Sequence, residues 1–298
     1  MNRPKSGRLD WSLEGQSWPN HDKSRFRTAA GIDWHVQEMG AGPSLLLVHG
    51  TGASTHSWRS LAPLLASNYS VTAFDLPGHG FTSPGTRNQR TLPGMASAIA
   101  DLLKSIDLQP TVVVGHSAGA ALLIRCCLDG ALAPESMISL NGALLPFRGA
   151  AGVLFPPLAK LLFLNPLMPH LLARRGGQRA RVERLIRGTG SELDAAGIEL
   201  YARLFENPSH VSATLGMMAS WDLHQLERNL TALTVPLLLM AGDNDQAVPP
   251  SDAERVHRLL RDARLIRLPG LGHLAHEEDA ETVVELINDF SLAEELGQ

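Results

Sequence analysis

Ser117 lies in the run Thr111-Val112-Val113-Val114-Gly115-His116-Ser117-Ala118-Gly119, which continues as Ala120-Ala121-Leu122-Leu123-Ile124. Three valines lead into a Gly-x-Ser-x-Gly turn, and a small-residue, then leucine-rich, helical stretch leads out. Strand, tight turn and helix in that order make a nucleophile elbow, which holds its serine in a strained backbone conformation. Gly115 and Gly119 lack a Cβ, so strand and helix can approach closely around it. The helix N-terminus adds unpaired N–H groups and a positive dipole end, which favour an alkoxide or a tetrahedral oxyanion. A serine hydroxyl is a weak nucleophile until a base takes its proton. In the chain order expected with such an elbow, an acid and then a histidine follow. One candidate loop reads Gly242-Asp243-Asn244-Asp245-Gln246-Ala247-Val248-Pro249 and the next Pro269-Gly270-Leu271-Gly272-His273. Both follow strand-like runs, and sites in open α/β sheets form past the carboxyl ends of strands. His273 is the natural general base, and an acid from the preceding loop would orient its imidazole and stabilise the imidazolium.

The elements that must hold these residues are legible as alternating strands and helices. Ser24–Ala29 and residues 33–39 flank Ala30-Gly31 and read as a β-hairpin. Ser44–Val48 is a buried strand, residues 58–65 are helical and residues 69–74 form the next strand. A helix is expected at 95–103, and Gly130 is a stop signal for the helix after Ser117. Later strands are expected at Ser136–Leu140, 235–241 and Ala263–Leu268, with a last helix over 278–290. Ser251-Asp252-Ala253-Glu254 has the pattern of a capping box for the helix between the last two strands. Such alternation predicts an α/β fold with a mostly parallel sheet covered on both faces. It breaks between residues 141 and 226, where helical runs but no clear strand occur, so that block reads as an inserted helical cap. The expected organisation is an irregular N-terminal arm at 1–23, a core at 24–140 and 227–298, and the cap at 141–226. Trp11 and Trp18 would anchor the arm.

The chain of 298 residues is 44% hydrophobic and 19% charged, which argues for a folded domain with a sizeable core. A net charge of −4 argues against bulk nucleic-acid binding. Cys126 and Cys127 are adjacent on a helix and read as small core residues in a reducing compartment. Residues 1–10 are basic without an apolar core segment, so a cytoplasmic location is expected. Pro156, Pro157, Lys160, Pro166 and Pro169 interrupt the apolar run 153–172, which argues against a spanning helix and leaves a pocket lining or a membrane-surface contact. No Walker A motif occurs, and no histidine spacing calls for a metal or a resident cofactor.

From about residue 24 to 290 the chain resembles the α/β-hydrolase superfamily. The matching motifs are His49-Gly50-Thr51-Gly52, Asp75-Leu76-Pro77-Gly78-His79-Gly80, Gly115-His116-Ser117-Ala118-Gly119, Gly242 with Asp245 and Pro249, and Gly272-His273. The resemblance implies an α/β-hydrolase fold and a catalytic Ser117, Asp245 and His273, with Asp243 the second choice of acid. It also implies an oxyanion hole from the backbone N–H groups of Ala118 and Thr51, with Gly52 the alternative to Thr51. His49, His79 and His116 are implied as structural hydrogen-bonding residues, while His276, close to His273 in the sequence, reads as a rim residue.

The arm and cap add a narrower likeness. Trp18-Pro19-Asn20, Trp34-His35-Val36-Gln37, His56-Ser57-Trp58-Arg59 and the stretch from Ser139-Leu140-Asn141-Gly142 to Pro156-Pro157-Leu158-Ala159-Lys160 resemble the magnesium-chelatase accessory proteins of bacteriochlorophyll biosynthesis. That implies a role around magnesium insertion into protoporphyrin, with chelatase subunits as partners, and not the ATP-driven motor itself. Residues 141–190 hold Arg148, Lys160, Arg174, Arg175, Arg179, Arg181, Arg184 and Arg187 against the single acid Glu183. Positive charge beside an apolar run suits a flat apolar ligand with carboxylates, such as a porphyrin, with Arg174 and Arg175 as candidate substrate-binding residues. It equally suits an anionic membrane surface or a solvated helix face. Three functions therefore stand open: an accessory protein of the chelatase step with a working serine site, a carboxylic-ester hydrolase of another pathway, and a non-catalytic porphyrin carrier.

Overall fold

A computed structural model describes residues 8–146, 165 and 167–296. Residues 1–7 of the arm and most of the apolar run 153–172, with Arg148 and Lys160, lie outside them. The strands are β1 (Ser24–Ala29), β2 (Ile32–Met39), β3 (Ser44–Val48), β4 (Ser70–Phe74), β5 (Val112–His116), β6 (Ser136–Leu140), β7 (Leu237–Gly242) and β8 (Ala263–Leu268). The helices that matter here are α1 (Leu61–Leu65), α2 (Leu92–Ser105), α3 (Ala118–Leu128), α4 (Met168–Gly176), α5 (Arg179–Arg187), α6 (Ala195–Phe205), α7 (Pro208–Ser220), α8 (Pro250–Leu259) and α9 (Ala280–Leu296).

β3 and β5 are near-continuous runs of Leu or Val and are buried on both faces, as the inner strands of a covered parallel sheet must be. The sheet order is β1-β2-β4-β3-β5-β6-β7-β8. β1 and β2 pair antiparallel, β2 runs antiparallel to β4, and all pairs from β4 through β8 are parallel. Strand alternation divides the core in two. Leu46, Val48 and Val113 face Ile99 and Leu102 of α2 and Leu122 of α3. Leu45, Leu47, Val112 and Val114 face Leu61 and Leu65 of α1 and Val283 and Ile287 of α9.

The register decides where chemistry can occur. Val48 pairs with Gly115, His116 with Leu140, Leu140 with Met240 and Gly242 with Leu268. The carboxyl ends of these five strands finish at one edge, so the loops beginning at His49, Ser117, Asn141, Asp243 and Pro269 leave it together.

Between β6 and β7 the described residues form helices and no strand. The arm is less irregular than its sequence implies. Asp10 caps the short helix Trp11–Glu14 through Ser12 N–H. Trp18 is buried, donates from Nε1 to Thr55 Oγ1 at 3.2 Å, and joins Ala53 and Phe81 in a third apolar cluster with Ile198, Tyr201 and Leu204 of α6. Residues near the N-terminus, the loops after β3 and β4 and α6 thus share one small core.

Four local expectations need correction. The helix expected at 58–65 is a 3-10 turn at Thr55–Trp58 followed by α1, because Pro63 has no N–H with which to continue a longer helix. Ser251 is not a cap: α8 starts at Pro250, whose fixed φ and missing N–H suit the first helical position, so Ser251 lies inside the helix. The final helix begins at Ala280 and runs on to Leu296, beyond its expected bounds, and a separate short helix, Ala275–Glu278, precedes it, with the Asp279 carboxylate accepting from Thr282 N–H between them. His276 is fully buried rather than at a rim, because its Nε2 lies 2.8 Å from Ser57 Oγ in the interior. Gly130 does stop α3, at φ +71°. Both cysteines are free, and burial pushes the Cys127 thiol up to about 12. Among the described residues no helix is long and apolar enough to cross a membrane.

Candidate active site

Ser117 ends β5 at φ +52°, ψ −116°, a conformation costly for any residue with a Cβ. The cost is held by close backbone packing. A Cβ on Gly115 would stand 2.5 Å from Ala120 N, and one on Gly119 only 2.0 Å from the Val48 carbonyl oxygen. Ser117 N–H donates to the Leu140 carbonyl at 3.0 Å, fixing the elbow to the end of β6. Ala118 opens α3, and its N–H has no acceptor among the described residues. Ser117 is partly exposed, and its hydroxyl has no hydrogen-bond partner among the described residues.

The loop after β3 is pressed against the serine. His49 donates from Nδ1 to the Gly50 carbonyl at 2.8 Å and accepts from Leu76 N–H at Nε2, 2.9 Å away. A Cβ on Gly50 would come within 2.9 Å of Ser117 Cβ and 2.8 Å of His116 Nδ1, so only glycine permits this approach. Thr51 follows directly, and its N–H also lacks an acceptor among the described residues. Thr51 Oγ1 faces Met217 Sδ of α7 at 3.4 Å, which places α7 over this loop.

Asp245 Oδ2 lies 2.8 Å from His273 Nδ1. The same oxygen accepts from Asn141 Nδ2 at 2.8 Å, while Oδ1 accepts from the Ala247 and Val248 N–H groups at 2.8 Å each. Four donors hold a side chain that is only 1% exposed. Asp243 turns outward to an ion pair with Arg267 at 2.6 Å. With Nδ1–H donated to Asp245, His273 keeps a free lone pair at Nε2. His116 donates from Nε2 to the His273 carbonyl at 2.9 Å, and its ring centroid lies 4.8 Å from that of His273. Burial, reinforced by His276 and His273, holds His116 well below the ordinary histidine range, so it is neutral.

Asp75 ties the loop of residues 75–80 to its surroundings. It pairs with His35 Nδ1 at 2.8 Å and accepts from Thr55 N–H at 2.6 Å and Phe81 N–H at 2.9 Å. Burial alone would raise its pKa, but the charge and hydrogen bond of His35, with His49 and Thr55 N–H, outweigh it and hold the carboxyl well below the usual range.

Sequence reasoning missed three contributors. Asn141 follows β6 and was legible only as a strand-end residue; its bond to Asp245 spans more than a hundred residues of chain. His210 of α7 bonds to both site loops, donating from Nε2 to the Gly52 carbonyl at 3.0 Å and accepting at Nδ1 from Gly80 N–H at 3.2 Å. Glu277, fully buried, accepts from Ser57 Oγ and Tyr201 O–H at 2.8 Å each and from Arg59 Nη1, joining α6 to the segment beside His273. Arg174 and Arg175 are exposed in the last turn of α4, and no described hydrogen bond or ion pair ties them to the other site residues. No group of three or more His, Cys, Asp or Glu side chains among the described residues is placed to hold a metal ion.

Comparison with known proteins gives the following. The family model described as "Alpha/beta hydrolase family" matches residues 45–286. The chain is 39% identical over 276 residues to the "Magnesium-chelatase 30 kDa subunit" of Rhodobacter capsulatus, covering 92% of this chain and 96% of that one. It is 28% identical to the "Pimeloyl-[acyl-carrier protein] methyl ester esterase" of Aeromonas hydrophila subsp. hydrophila, covering 86% of this chain and 98% of that one. Among solved structures, a putative lipase from Acinetobacter baumannii superposes with a TM-score of 0.79 at 21% identity, covering 100% and 99% of the two chains, which speaks for the fold alone.

Proposed function

The chain belongs to the alpha/beta hydrolase family, and from that premise we propose that it is an accessory factor at the magnesium-chelatase step of bacteriochlorophyll biosynthesis, carrying a serine site for acyl transfer. The pathway part of this reading is supported by the 39% identity to a magnesium-chelatase subunit along nearly the whole length of both chains. The chemical part is supported by the 2.8 Å contact between Asp245 and His273 Nδ1, which leaves Nε2 for the role of base in this reading.

In this reading His273 Nε2 takes the Ser117 proton as Oγ adds to an ester carbonyl. The oxyanion is met by the N–H groups of Ala118 and Thr51, neither of which has an acceptor among the described residues. Collapse expels the alcohol, protonated by His273, and leaves an acyl-enzyme. Water, deprotonated by the same nitrogen, adds to the acyl carbon, and collapse breaks the bond to Ser117 Oγ, which takes the proton back from His273 as the acid leaves. Asp245 stays ionised and balances the imidazolium, while Asn141 and two backbone N–H groups keep it in place. The substrate class is a small apolar ester or carboxylate, with a porphyrin the favoured case. Arg174 and Arg175 are assigned to its carboxylates at the cap margin, and chelatase subunits are the partners.

The test has two arms. A fluorophosphonate should label Ser117 and p-nitrophenyl acetate should be cleaved, with both lost in Ser117→Ala. Failure of well-folded protein to label would leave the carrier reading. Protoporphyrin or its magnesium form should quench intrinsic fluorescence, unaffected by Ser117→Ala and weakened about tenfold by charge reversal at Arg174 and Arg175. Labelling without porphyrin binding would point to an ester hydrolase of another pathway.

A further inference from the structure

We propose that the outer face of α4 and α5 docks the protein on an anionic lipid surface. The inference does not depend on the chemistry of Ser117. α5 turns Val182 and Ile186 inward against α6 and presents Arg181, Arg184 and Leu185 to solvent. α4 buries Pro169 and Ala173 and presents Leu171 with Arg174 and Arg175, at the spacing of helical neighbours. Leu185 is 53% exposed, Leu171 44% and Leu167, just before α4, 74%. Leu185 lies in a shallow apolar depression of about 450 Å³ bordered by Arg181, Arg184, Gly188 and Thr189.

The charge on this face is uncompensated. Arg187 pairs with Glu183, but Arg179, Arg181 and Arg184, which are not assigned to the bound carboxylates, have no carboxylate partner among the described residues. The undescribed stretch 147–164 contains no acidic residue that could supply one. In a chain of net charge −4, this concentration of positive charge makes the molecule a dipole that would orient towards an anionic plane.

A bilayer fits better than an acidic protein. Protein interfaces need a contiguous, fully desolvated apolar centre. Here single leucines stand apart with arginines between them. That is the arrangement of an interfacial helix, whose apolar side chains enter the acyl boundary while cationic heads stay among the phosphates. α4 packs on α6 and α7, which lie over the Thr51 loop, so docking here would bring the cap that covers the site against the membrane.

The test is co-sedimentation of the full chain with vesicles of phosphatidylcholine alone or mixed with phosphatidylglycerol. Binding should require the anionic lipid and fall with added salt, since each arginine near such a surface contributes roughly fivefold. Arg181→Glu combined with Arg184→Glu should weaken binding more than tenfold. Leu185→Ser should weaken it severalfold while leaving its salt dependence unchanged. All three residues are exposed, so the variants should keep the parent melting temperature. Absence of binding, equal binding to neutral vesicles, or binding that survives the charge reversal would overturn the proposal. Binding to soluble polyglutamate as tight as to vesicles, indifferent to Leu185→Ser, would also overturn it and make the face a site for an acidic protein.

Discussion

His210 of the cap and Gly52 of the loop after β3 are joined by a 3.0 Å hydrogen bond from imidazole Nε2 to the glycine carbonyl. Because Nδ1 accepts from Gly80 N–H, this histidine is neutral and of fixed tautomer. It pins α7 both to the loop after β3, which lies against Ser117, and to the loop after β4. Burial first, against a smaller opposing effect of the bond to Gly52, pushes its pKa down to about 4.

That depression makes the fold sensitive to acid in a defined window. Above about pH 6.5 neither the folded nor the unfolded chain protonates this residue, and its contribution is intact. As pH falls from 6.5 towards 4 the unfolded chain takes up the proton and the folded chain does not, so roughly 3 kcal/mol is lost. Burial acts the same way on His276, pushed down to about 3, and on His49, His56, His79 and His116. The melting temperature should therefore fall steeply from pH 6.5 to 4, less steeply in His210→Gln. A flat profile across that interval would contradict the buried, neutral histidines.

Gly50→Ala tests the contact between the Thr51 loop and the elbow. The added methyl would meet Ser117 Cβ at 2.9 Å, so the loop must retreat and carry Thr51 N–H with it. Overpacking of this kind costs about 1–3 kcal/mol of stability. The labelling rate at Ser117 should drop by about a hundredfold, the cost of misplacing an oxyanion donor. Labelling at the parent rate would show that Thr51 N–H plays no part.

Asn141→Ala removes one of four donors to Asp245. A hydrogen bond to a charged group contributes about 1.5–3 kcal/mol, so kcat/KM for p-nitrophenyl acetate should fall about tenfold or more. Asp243→Asn should leave kcat/KM within about twofold, since that carboxylate pairs with Arg267. The reverse ranking would reassign the acid.

Glu277→Ala would leave the Arg59 guanidinium, 13% exposed, with Asp194 as its one counter-charge among the described residues. Breaking a buried pair from one side costs about 3–5 kcal/mol. Since Tyr201 loses its acceptor too, α6 should become open to limited proteolysis before the core unfolds. Tyr201→Phe should cost about 1 kcal/mol and leave the protease pattern unchanged.

The sequence by itself determined the sheet, the elbow and the two loops that face it, because each is a local rule. A Leu or Val run makes a covered strand, a strained serine needs Gly115 and Gly119 around it, and the register of β3, β5, β6, β7 and β8 then brings their loops to one edge. Local rules also erred locally: Ser251 has the pattern of a cap, but Pro250 beside it starts the helix first. The resemblance implied Asp245 over Asp243, but the physical reason lies in the tertiary structure, because the two are two residues apart and separated only by what else reaches them. Arg267 draws one outward, and Asn141 with two backbone N–H groups draws the other inward. His210 on Gly52, Glu277 on Arg59 and Trp18 on Thr55 join residues far apart in the chain. Such pairings carry no periodicity or spacing. They exist because the folded backbone brings buried polar groups together, and burial leaves each of them needing a partner.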